Sequence, residues 1–424
     1  MRFPQPPEVG PFRREAWRSP VRGPWLTSVL GSALLPLIVI CAVTGFLSHL
    51  AYDPALGANS PLGPGAGLDL RLFEWPTSPA WLYAVVQGLH VGSGLVAIPI
   101  LVAKLWSVIP KLWERPAVRS PAHALERLSL ALLVGGALFV FATGVLNIQV
   151  WRPWSFSFIP AHYYAAFIFL AALALHLVLK LPVVLRTFRR EGVVAPARQS
   201  RAATRPEPAD AGLTAPTSPG PTTISRRGLL GTVGAGSAAL GVMAAGQSIG
   251  GPLRPLALLA PRGGEYGDGP NDFPINKTAN AAGITRDRVG PGWRLRLEGA
   301  RRRSLSRAQL AAMPQRAARL PIACVEGWST TQEWEGVPLR DLAAMVGVGD
   351  DDEELLVESL QKGGAFSSVV LAPNQVANPD SLLALRVNGA DLTLDHGFPA
   401  RIVVPAAPGV HCTKWVERMT FGRA

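Results

Sequence analysis

Cysteine is scarce in this sequence, with three residues in 424. Cys41 lies in a hydrophobic stretch, whereas Cys324 and Cys412 lie far apart in the second half of the chain. No CxxC pair occurs, so we expect neither a zinc or iron–sulfur site held by cysteines nor a disulfide framework. One bridge between Cys324 and Cys412 stays open as an alternative, although separate roles are favoured.

Charged residues are also few, at 17%, and they are unevenly distributed. Up to about residue 187 the sequence is membrane-like, whereas from about residue 265 charges recur every few positions, as in a soluble domain. The net charge of +12 comes mainly from arginines beside hydrophobic segments, where lipid head groups and insertion topology explain them. We therefore expect membrane lipid as a partner, and no nucleic acid.

Four hydrophobic stretches are each long enough to span a bilayer: 25–50, 79–106, 128–150 and 156–181. Lysines and arginines cluster on one side of them, at Arg13, Arg14, Arg18, Arg22, Lys111, Arg115, Arg119, Arg186, Arg189 and Arg190. The opposite loops hold only Arg71 and Arg152. The positive-inside rule therefore predicts a multi-pass plasma-membrane protein whose amino-terminal arm, residues 1–24, is cytoplasmic.

The chain between the fourth stretch and the soluble half has two parts. Residues 188–224 are rich in Pro, Ala, Thr and Arg without apolar periodicity, which predicts a disordered cytoplasmic linker. Residues 225–251 begin with SRRGLL and continue as a weakly apolar run, a pattern typical of twin-arginine export signals. The alternative is a fifth membrane helix with a basic flank. Both interpretations place residues 265–424 outside the cytoplasm.

Three of the four stretches carry histidines: the first has His49, the second His90, and the fourth both His162 and His176. The fourteen residues between His162 and His176 put both rings on one helix face, about 21 Å apart. Bis-histidine ligation in a helical bundle is typical of electron-transfer haems, so we expect two haems b at two depths. The outer haem would join His162 to His90 or His49. His176 has no evident partner, so a single haem is the alternative, and a lone histidine can also serve structure by hydrogen bonding.

Residues 20–190 resemble the di-haem cytochrome b subunits of membrane-bound formate dehydrogenases and hydrogenases. The resemblance rests on the four helices and on the paired histidines of the fourth. This sequence lacks the ligand that the family usually has at the inner end of the first helix. We expect a four-helix haem domain, 25–187, that exchanges electrons with membrane quinone or quinol.

The soluble half alternates β-rich runs such as 293–297 and 400–405 with helix-like pieces such as 306–313, which predicts an α+β domain. Three strings stand out in it: PIACVEGWS at 321–329, DHGFPARIVVP at 395–405 and GVHCTKW at 409–415. Their order and spacing resemble the molybdopterin domain of the sulfite oxidase superfamily. The first string looks closest to the periplasmic methionine sulfoxide reductase branch.

This resemblance implies a molybdenum–molybdopterin cofactor, with Cys324 as the thiolate ligand of molybdenum. It further implies that six residues hold the pterin and its phosphate: Asn276, His396, Arg401, Cys412, Thr413 and Lys414. A soft thiolate suits a dithiolene-bound metal, and a guanidinium with a lysine suits a phosphate. Without the motifs, Cys324 would be a buried small apolar residue, His396 a turn cap and Arg401 a surface charge.

One departure from the family concerns the substrate. Sulfite oxidases place an arginine a few residues after the cysteine, where this sequence has Gly327, Trp328, Ser329 and Thr330. A neutral, aromatic entrance favours a small uncharged S-oxide or N-oxide over sulfite. The predicted architecture is thus a four-helix membrane haem bundle, a fifth helix and an exported α+β sulfite-oxidase-like domain. The alternatives are sulfite-type oxidation feeding quinone, and a non-catalytic membrane receptor or scaffold with a degenerate domain.

Overall fold

The computed structural model describes residues 17–53, 59, 72–113, 118–208, 214–262, 266–349, 353–363 and 367–422. Most of the predicted amino-terminal arm lies outside the described residues, as do Arg71, Arg115 and position 265. The contacts divide the chain into two units. Unit 1 comprises Met1–Ala42, Gly92–Asn147 and Arg152–Gly241, and unit 2 comprises Val43–Val91, Ile148–Trp151 and Val242–Ala424.

The amino-terminal half is helical. Its helices are α1 (Pro24–Ala51), α2 (Leu82–Val108), α3 (Pro121–Ile148), α4 (Phe158–Glu191), the short α5 (Ala195–Arg198) and α6 (Arg226–Ile249). Within the described chain, five of these (all except α5) are long and apolar enough to cross a membrane. This confirms that the four hydrophobic stretches are helices and that the run after the paired arginines forms a fifth.

Two of the helices extend beyond their apolar stretches. α3 begins seven residues before the predicted start, and α4 continues ten residues past residue 181. Glu126 on the added part of α3 pairs with Lys111 and with Lys180 of α4, each at 3.2 Å. Hydropathy alone does not predict these extensions, because the added residues are helical but largely polar.

Unit 1 has an apolar core between its helices. Side chains of α1, α2, α3 and α4 form this cluster: Leu34, Ile38, Ala97, Leu101, Ala137, Val140 and Phe169. Other large apolar side chains of these helices are exposed, including Val102, Leu138, Ile168 and Val178. Exposed apolar surface on helices of spanning length is compatible with a membrane protein.

The described part of residues 188–224, for which the composition predicts a disordered linker, makes polar contacts with the long helices. Glu207 accepts a hydrogen bond from the backbone N–H of Trp25 at 2.9 Å. The same carboxylate lies 3.5 Å from the guanidinium of Arg226, which is buried and also donates to the carbonyl of Arg205. Hydrogen bonds and ion pairs of this kind produce no apolar periodicity, so the composition of the segment could not reveal these contacts. Arg226 of the paired arginines thus has a structural partner in the folded chain.

The remainder of unit 2 is an α+β domain, as predicted. Its strands are β1 (Leu295–Glu298), β2 (Arg302–Leu305), β3 (Arg316–Ala323), β4 (Ser329–Pro338), β5 (Leu355–Ser359), β6 (Ser368–Leu371), β7 (Leu382–Val387), β8 (Ala390–Asp391), β9 (Arg401–Val403) and β10 (Val416–Phe421). Three short helices accompany them: α7 (Arg307–Ala311), α8 (Leu339–Met345) and α9 (Pro373–Ala377).

The strands form two sheets. One has the order β2-β1-β10-β5-β6, and the other has the order β3-β4-β7-β8 with β9 paired to β7. Alternating residues such as Leu295 and Leu297 of β1 point into the core, where they meet Val357, Leu383 and Ile402. The antiparallel pairing of β3 with β4 runs as far as Ala323 opposite Ser329. The residues between those two strand ends therefore form a tight connection that carries Cys324.

Candidate functional site

The connection between β3 and β4, residues 324–328, is named the Cys324 loop. The backbone N–H of Cys324 donates to the carbonyl of Trp328, and the N–H of Gly327 donates to the carbonyl of Cys324, both at 2.9 Å. Gly327 has a φ of +88°, which strains any residue with a side chain. These bonds and the glycine fix the position of the thiol at the end of the two strands.

The thiol of Cys324 is buried, with 5% of the residue exposed. Burial, reinforced by the negative charge of Glu326, raises the pKa of this thiol to about 12. Without a cation the sulfur is therefore a neutral thiol at neutral pH, and it would ligate a metal by losing its proton. A buried cysteine of this kind is a poor free nucleophile, because only the thiolate is strongly nucleophilic.

A cavity adjoins the loop. Its walls come from strands β3, β4 and β9 and from the segments between strands, through Phe273, Pro274, Ile275, Asn276, Ile322, Trp328, Thr330, His396, Arg401 and Lys414. Ile322 and Trp328 flank Cys324 in the sequence, so the cavity lies beside the thiol-bearing loop. It brings together four of the six residues that the sequence motifs assign to cofactor binding.

Arg401 and Lys414 place two buried positive groups at this cavity. Arg401 donates to the carbonyls of His396 at 3.2 Å and Cys412 at 3.1 Å. Lys414 donates to the carbonyl of Asp395 at 2.9 Å and to that of Lys277. Within the described chain, neither cation pairs with a carboxylate. Burial lowers the pKa of Arg401 to about 10 and that of Lys414 well below its usual value.

Two buried cations with no carboxylate in direct contact are unfavourable by themselves, because removing a charge from water is costly; the charge of Asp395 offsets part of this for Lys414. An anionic ligand in the cavity would offset that cost and restore the pKa of Lys414. The donor set of a guanidinium and an ammonium suits a phosphate. These residues therefore suit the phosphate of the cofactor that the sequence motifs imply.

His396 supplies a neutral acceptor in the same cavity. Its Nε2 lies 2.8 Å from the carbonyl of Asn271, so Nε2 carries the proton and Nδ1 the lone pair. Burial lowers the pKa of this imidazole to about 3, with the charge of Arg401 acting in the same direction. The ring packs on Phe273, with centroids 3.8 Å apart. His396 is thus held as a neutral ring rather than as a turn cap.

Cys412 and Thr413 line the neighbouring turn. Cys412 is a buried free thiol, and so is Cys324, so the alternative of a bridge between them is absent from the structure. The hydroxyl of Thr413 is buried without a hydrogen-bond partner in the described chain. A buried hydroxyl in that state is a candidate for contact with a ligand.

Sequence reasoning missed an ion pair at the loop. Arg262 places two nitrogens on the two carboxylate oxygens of Glu326, at 2.9 and 2.7 Å. The indole N–H of Trp328 donates to the same carboxylate at 2.9 Å. Glu326 could have been noticed in the cysteine motif itself, whereas Arg262 lies 64 positions away with no local signal. An arginine therefore lies near Cys324, but its charge is balanced by Glu326.

Sequence reasoning also missed His411. This residue is 1% exposed, and in the described chain neither ring nitrogen has a hydrogen-bond partner. Its ring meets Tyr52 edge-on, with centroids 5.7 Å apart. Burial lowers the pKa of His411 to about 3, so the ring is neutral.

His49 and His90 belong to unit 2. A Cβ atom added at Gly45 would lie 2.8 Å from Cε1 of His90, so only glycine lets this imidazole approach α1 so closely. Gly45 precedes His49 by four residues, and residues four apart lie on one helix face. The ring of His90 therefore packs against the face of α1 that carries His49.

His162 and His176 belong to unit 1. The hydroxyl of Thr143 donates to the carbonyl of Phe139 at 2.8 Å and lies 3.1 Å from Nδ1 of His162. Because the hydroxyl proton is used on the carbonyl, the oxygen accepts from Nδ1–H, which places the ring's lone pair on Nε2. His176 is half-buried on α4.

No group of three or more His, Cys, Asp or Glu residues in the described ranges could hold a metal ion by itself.

Comparisons place the second half of the chain among known proteins. A family model described as an oxidoreductase molybdopterin binding domain matches residues 283–424. Sulfite oxidase of Gallus gallus is 34% identical over 100 residues, covering 22% of this chain and 22% of that protein. An inducible NADH nitrate reductase of Glycine max is 33% identical over 99 residues, covering 21% of this chain and 11% of that protein. The chain thus spans less than a quarter of the length of these relatives.

Among solved structures, the crystal structure of the sulfane dehydrogenase SoxCD from Paracoccus pantotrophus matches with 25% identity and a TM-score of 0.29. The match covers 31% of this chain and 38% of that chain.

Proposed function

We propose a function from one premise, that the carboxy-terminal part of the chain is a molybdopterin-binding oxidoreductase domain of the sulfite oxidase superfamily. The whole chain is then a membrane-bound enzyme that exchanges electrons with the quinone pool through fused b-type haem. It reduces a small S-oxide or N-oxide outside the membrane. Its multi-pass helices leave the amino terminus in the cytoplasm and carry the catalytic domain to the other side.

The observation that carries the proposal is the pair of buried cations, Arg401 and Lys414, beside the Cys324 loop. Both would hold the phosphate of molybdopterin, with Asn276 and His396 at the pterin. Cys324 would be the protein's ligand to molybdenum. When bound, this cofactor supplies two-electron oxygen-atom transfer. The chain supplies the anion site, the thiolate ligand and the exclusion of water by Trp328.

The charge near the metal ligand favours an uncharged substrate. Arg262 is held by both oxygens of Glu326, so the pair adds no net charge beside Cys324. The neutral pair hardly changes the binding energy of an uncharged S-oxide. An anionic substrate, by contrast, would meet no unbalanced positive charge beside Cys324. The methionine sulfoxide reductase branch, which the cysteine motif resembles, is the preferred comparison for the substrate.

The electron supply would come from two haems b held by the histidines of the long helices. His162, which contacts Thr143, and His90, which packs on α1 at Gly45, are proposed as two of the ligands. His49 and His176 stay as predicted ligands. Quinol would be the reductant, and twin-arginine export would explain how a folded, cofactor-loaded domain crosses the membrane.

Sulfite oxidation feeding quinone is the second candidate. It is favoured by the similarity to sulfite oxidases and by the presence of Arg262 near the loop. The same chain would then pass electrons in the opposite direction. Which reaction operates depends on whether Glu326 keeps Arg262 away from an anionic substrate.

The test uses membranes that contain the full chain and are reduced by a quinol analogue. Addition of methionine sulfoxide should reoxidise the haem, as followed by its absorbance. Reduction of the haem by sulfite, with no response to the sulfoxide, would support the second candidate instead. A preparation without haem and molybdenum would favour the non-catalytic scaffold and contradict both enzymatic proposals.

A further inference from the structure

The Cys324 loop is bound from outside its own sheet. Three consecutive backbone carbonyls of the loop accept hydrogen bonds from side chains of two long helices. Gln87 of α2 donates to the carbonyl of Val325 at 3.1 Å. Two residues of α6 donate to the next two carbonyls, Gln247 to Glu326 at 2.7 Å and Ser248 to Gly327 at 2.8 Å.

Gln87 is oriented by a fourth side chain. The hydroxyl of Ser48 on α1 donates to its amide oxygen at 2.8 Å, so the amide NH2 group points to the loop. Gln87 and Ser48 are both buried, at 4% and 7% exposure. A buried amide whose two ends are both bonded is costly to disturb, because either end would be left unsatisfied.

A second contact lies on the same face of α2. A Cβ atom added at Gly327 would lie 2.8 Å from Cγ1 of Val91, so the loop backbone packs directly on this valine. Val91 follows Gln87 by four residues, so both face the loop. His90 precedes Val91 directly and follows Gln87 by three residues, which is less than one helical turn.

We propose that this end of α2 is the electron-transfer contact of the enzyme, with Gln87 as its positioning residue. The inference rests on the proposed function. If iron is held at His90, the path from this imidazole to Cys324 would run along α2 to Gln87 and through its hydrogen bond to Val325, the neighbour of Cys324. Two electrons taken this way, with two protons, would reduce one S-oxide to the sulfide and water. Quinol would supply the electrons.

The experiment compares two variants in the full chain loaded with its cofactors. Gln87→Leu removes the hydrogen bond from the histidine-bearing helix. Gln247→Leu is the matched control, because it removes the same type of bond from the neighbouring carbonyl on a helix without histidine. Two rates are measured for each: sulfoxide-driven reoxidation of reduced haem, and sulfoxide reduction with a dye that reduces molybdenum directly. Amide hydrogen exchange of residues 324–328 reports whether the loop has loosened.

The ratio of the haem-linked rate to the dye-linked rate should fall severalfold in Gln87→Leu, because the hydrogen-bonded link to Val325 would be replaced by a through-space contact. It should keep its wild-type value in Gln247→Leu. An unchanged ratio in Gln87→Leu overturns the proposal, as does an equal fall in both variants with equal loosening of the loop. If sulfoxide fails to reoxidise haem in the wild-type chain, the proposed function itself is wrong. If sulfoxide does reoxidise wild-type haem and the ratio is unchanged in Gln87→Leu, only the proposed contact is wrong.

Discussion

The substitution Glu326→Gln should strengthen the binding of anionic substrates at the site. The carboxylate holds Arg262 by two hydrogen bonds, and the amide would keep an acceptor for Trp328 while removing the negative charge. The site would gain one net positive charge. At a separation on the order of 8 Å and an effective dielectric constant of about 20, an anion would be stabilised by about 2 kcal/mol. Partial exposure of Arg262 reduces this, so we expect roughly a tenfold fall in the KM for sulfite.

The assay is dye-linked turnover of the full chain, with KM measured for sulfite and for methionine sulfoxide in the same preparation. The KM for the neutral sulfoxide is the internal control and should change little. Arg262→Gln should have the opposite effect on sulfite, and the double variant should return near the wild-type value. Equal changes in both KM values, or a double variant that matches Glu326→Gln alone, would refute the argument from charge.

Three further predictions address the cofactors and the buried histidines. Cys324→Ala should abolish turnover while the haem spectrum stays intact; retained activity would remove this cysteine from the molybdenum site. His411→Asn should flatten the pH dependence of thermal unfolding between pH 6.5 and pH 5 by roughly 2 kcal/mol, because the unfolded chain binds the proton there and the folded chain, with a pKa of about 3, does not. Wild-type stability should therefore fall as the pH is lowered through this window, and a variant with the same slope would contradict the assignment. Gly45→Leu should displace the ring of His90 and reduce haem absorbance, whereas Gly92→Leu, with open space at its Cβ position, should not.

Hydropathy predicted the five long helices because a span needs about twenty apolar residues in one run, and that property is local. The α+β class of the soluble domain could also be predicted, because its β-rich runs are short and are separated by glycine and proline. The contacts of Glu207 with Trp25 and Arg226 could not be predicted from the sequence, because contacts between polar side chains leave no periodic pattern.

In the site, too, residues within sequence motifs could be predicted, whereas contacts between distant parts of the chain could not. Cys324, His396, Arg401 and Lys414 lie within ordered motifs, and the structure brings the last three to one cavity. Gln87 could not have been singled out, because its acceptor lies 238 positions further along the chain and a glutamine in a helix has many roles. Pairings of this kind depend on the fold and have no signature in the residues themselves.

The central claim is that one chain holds iron inside the membrane helices and molybdenum at Cys324. The most direct measurement is metal analysis of the purified full chain together with its reduced-minus-oxidised absorption spectrum. We predict one molybdenum per chain and a b-type haem spectrum with iron equivalent to two haems. A colourless protein without molybdenum, purified from cells that make both cofactors, would contradict the account.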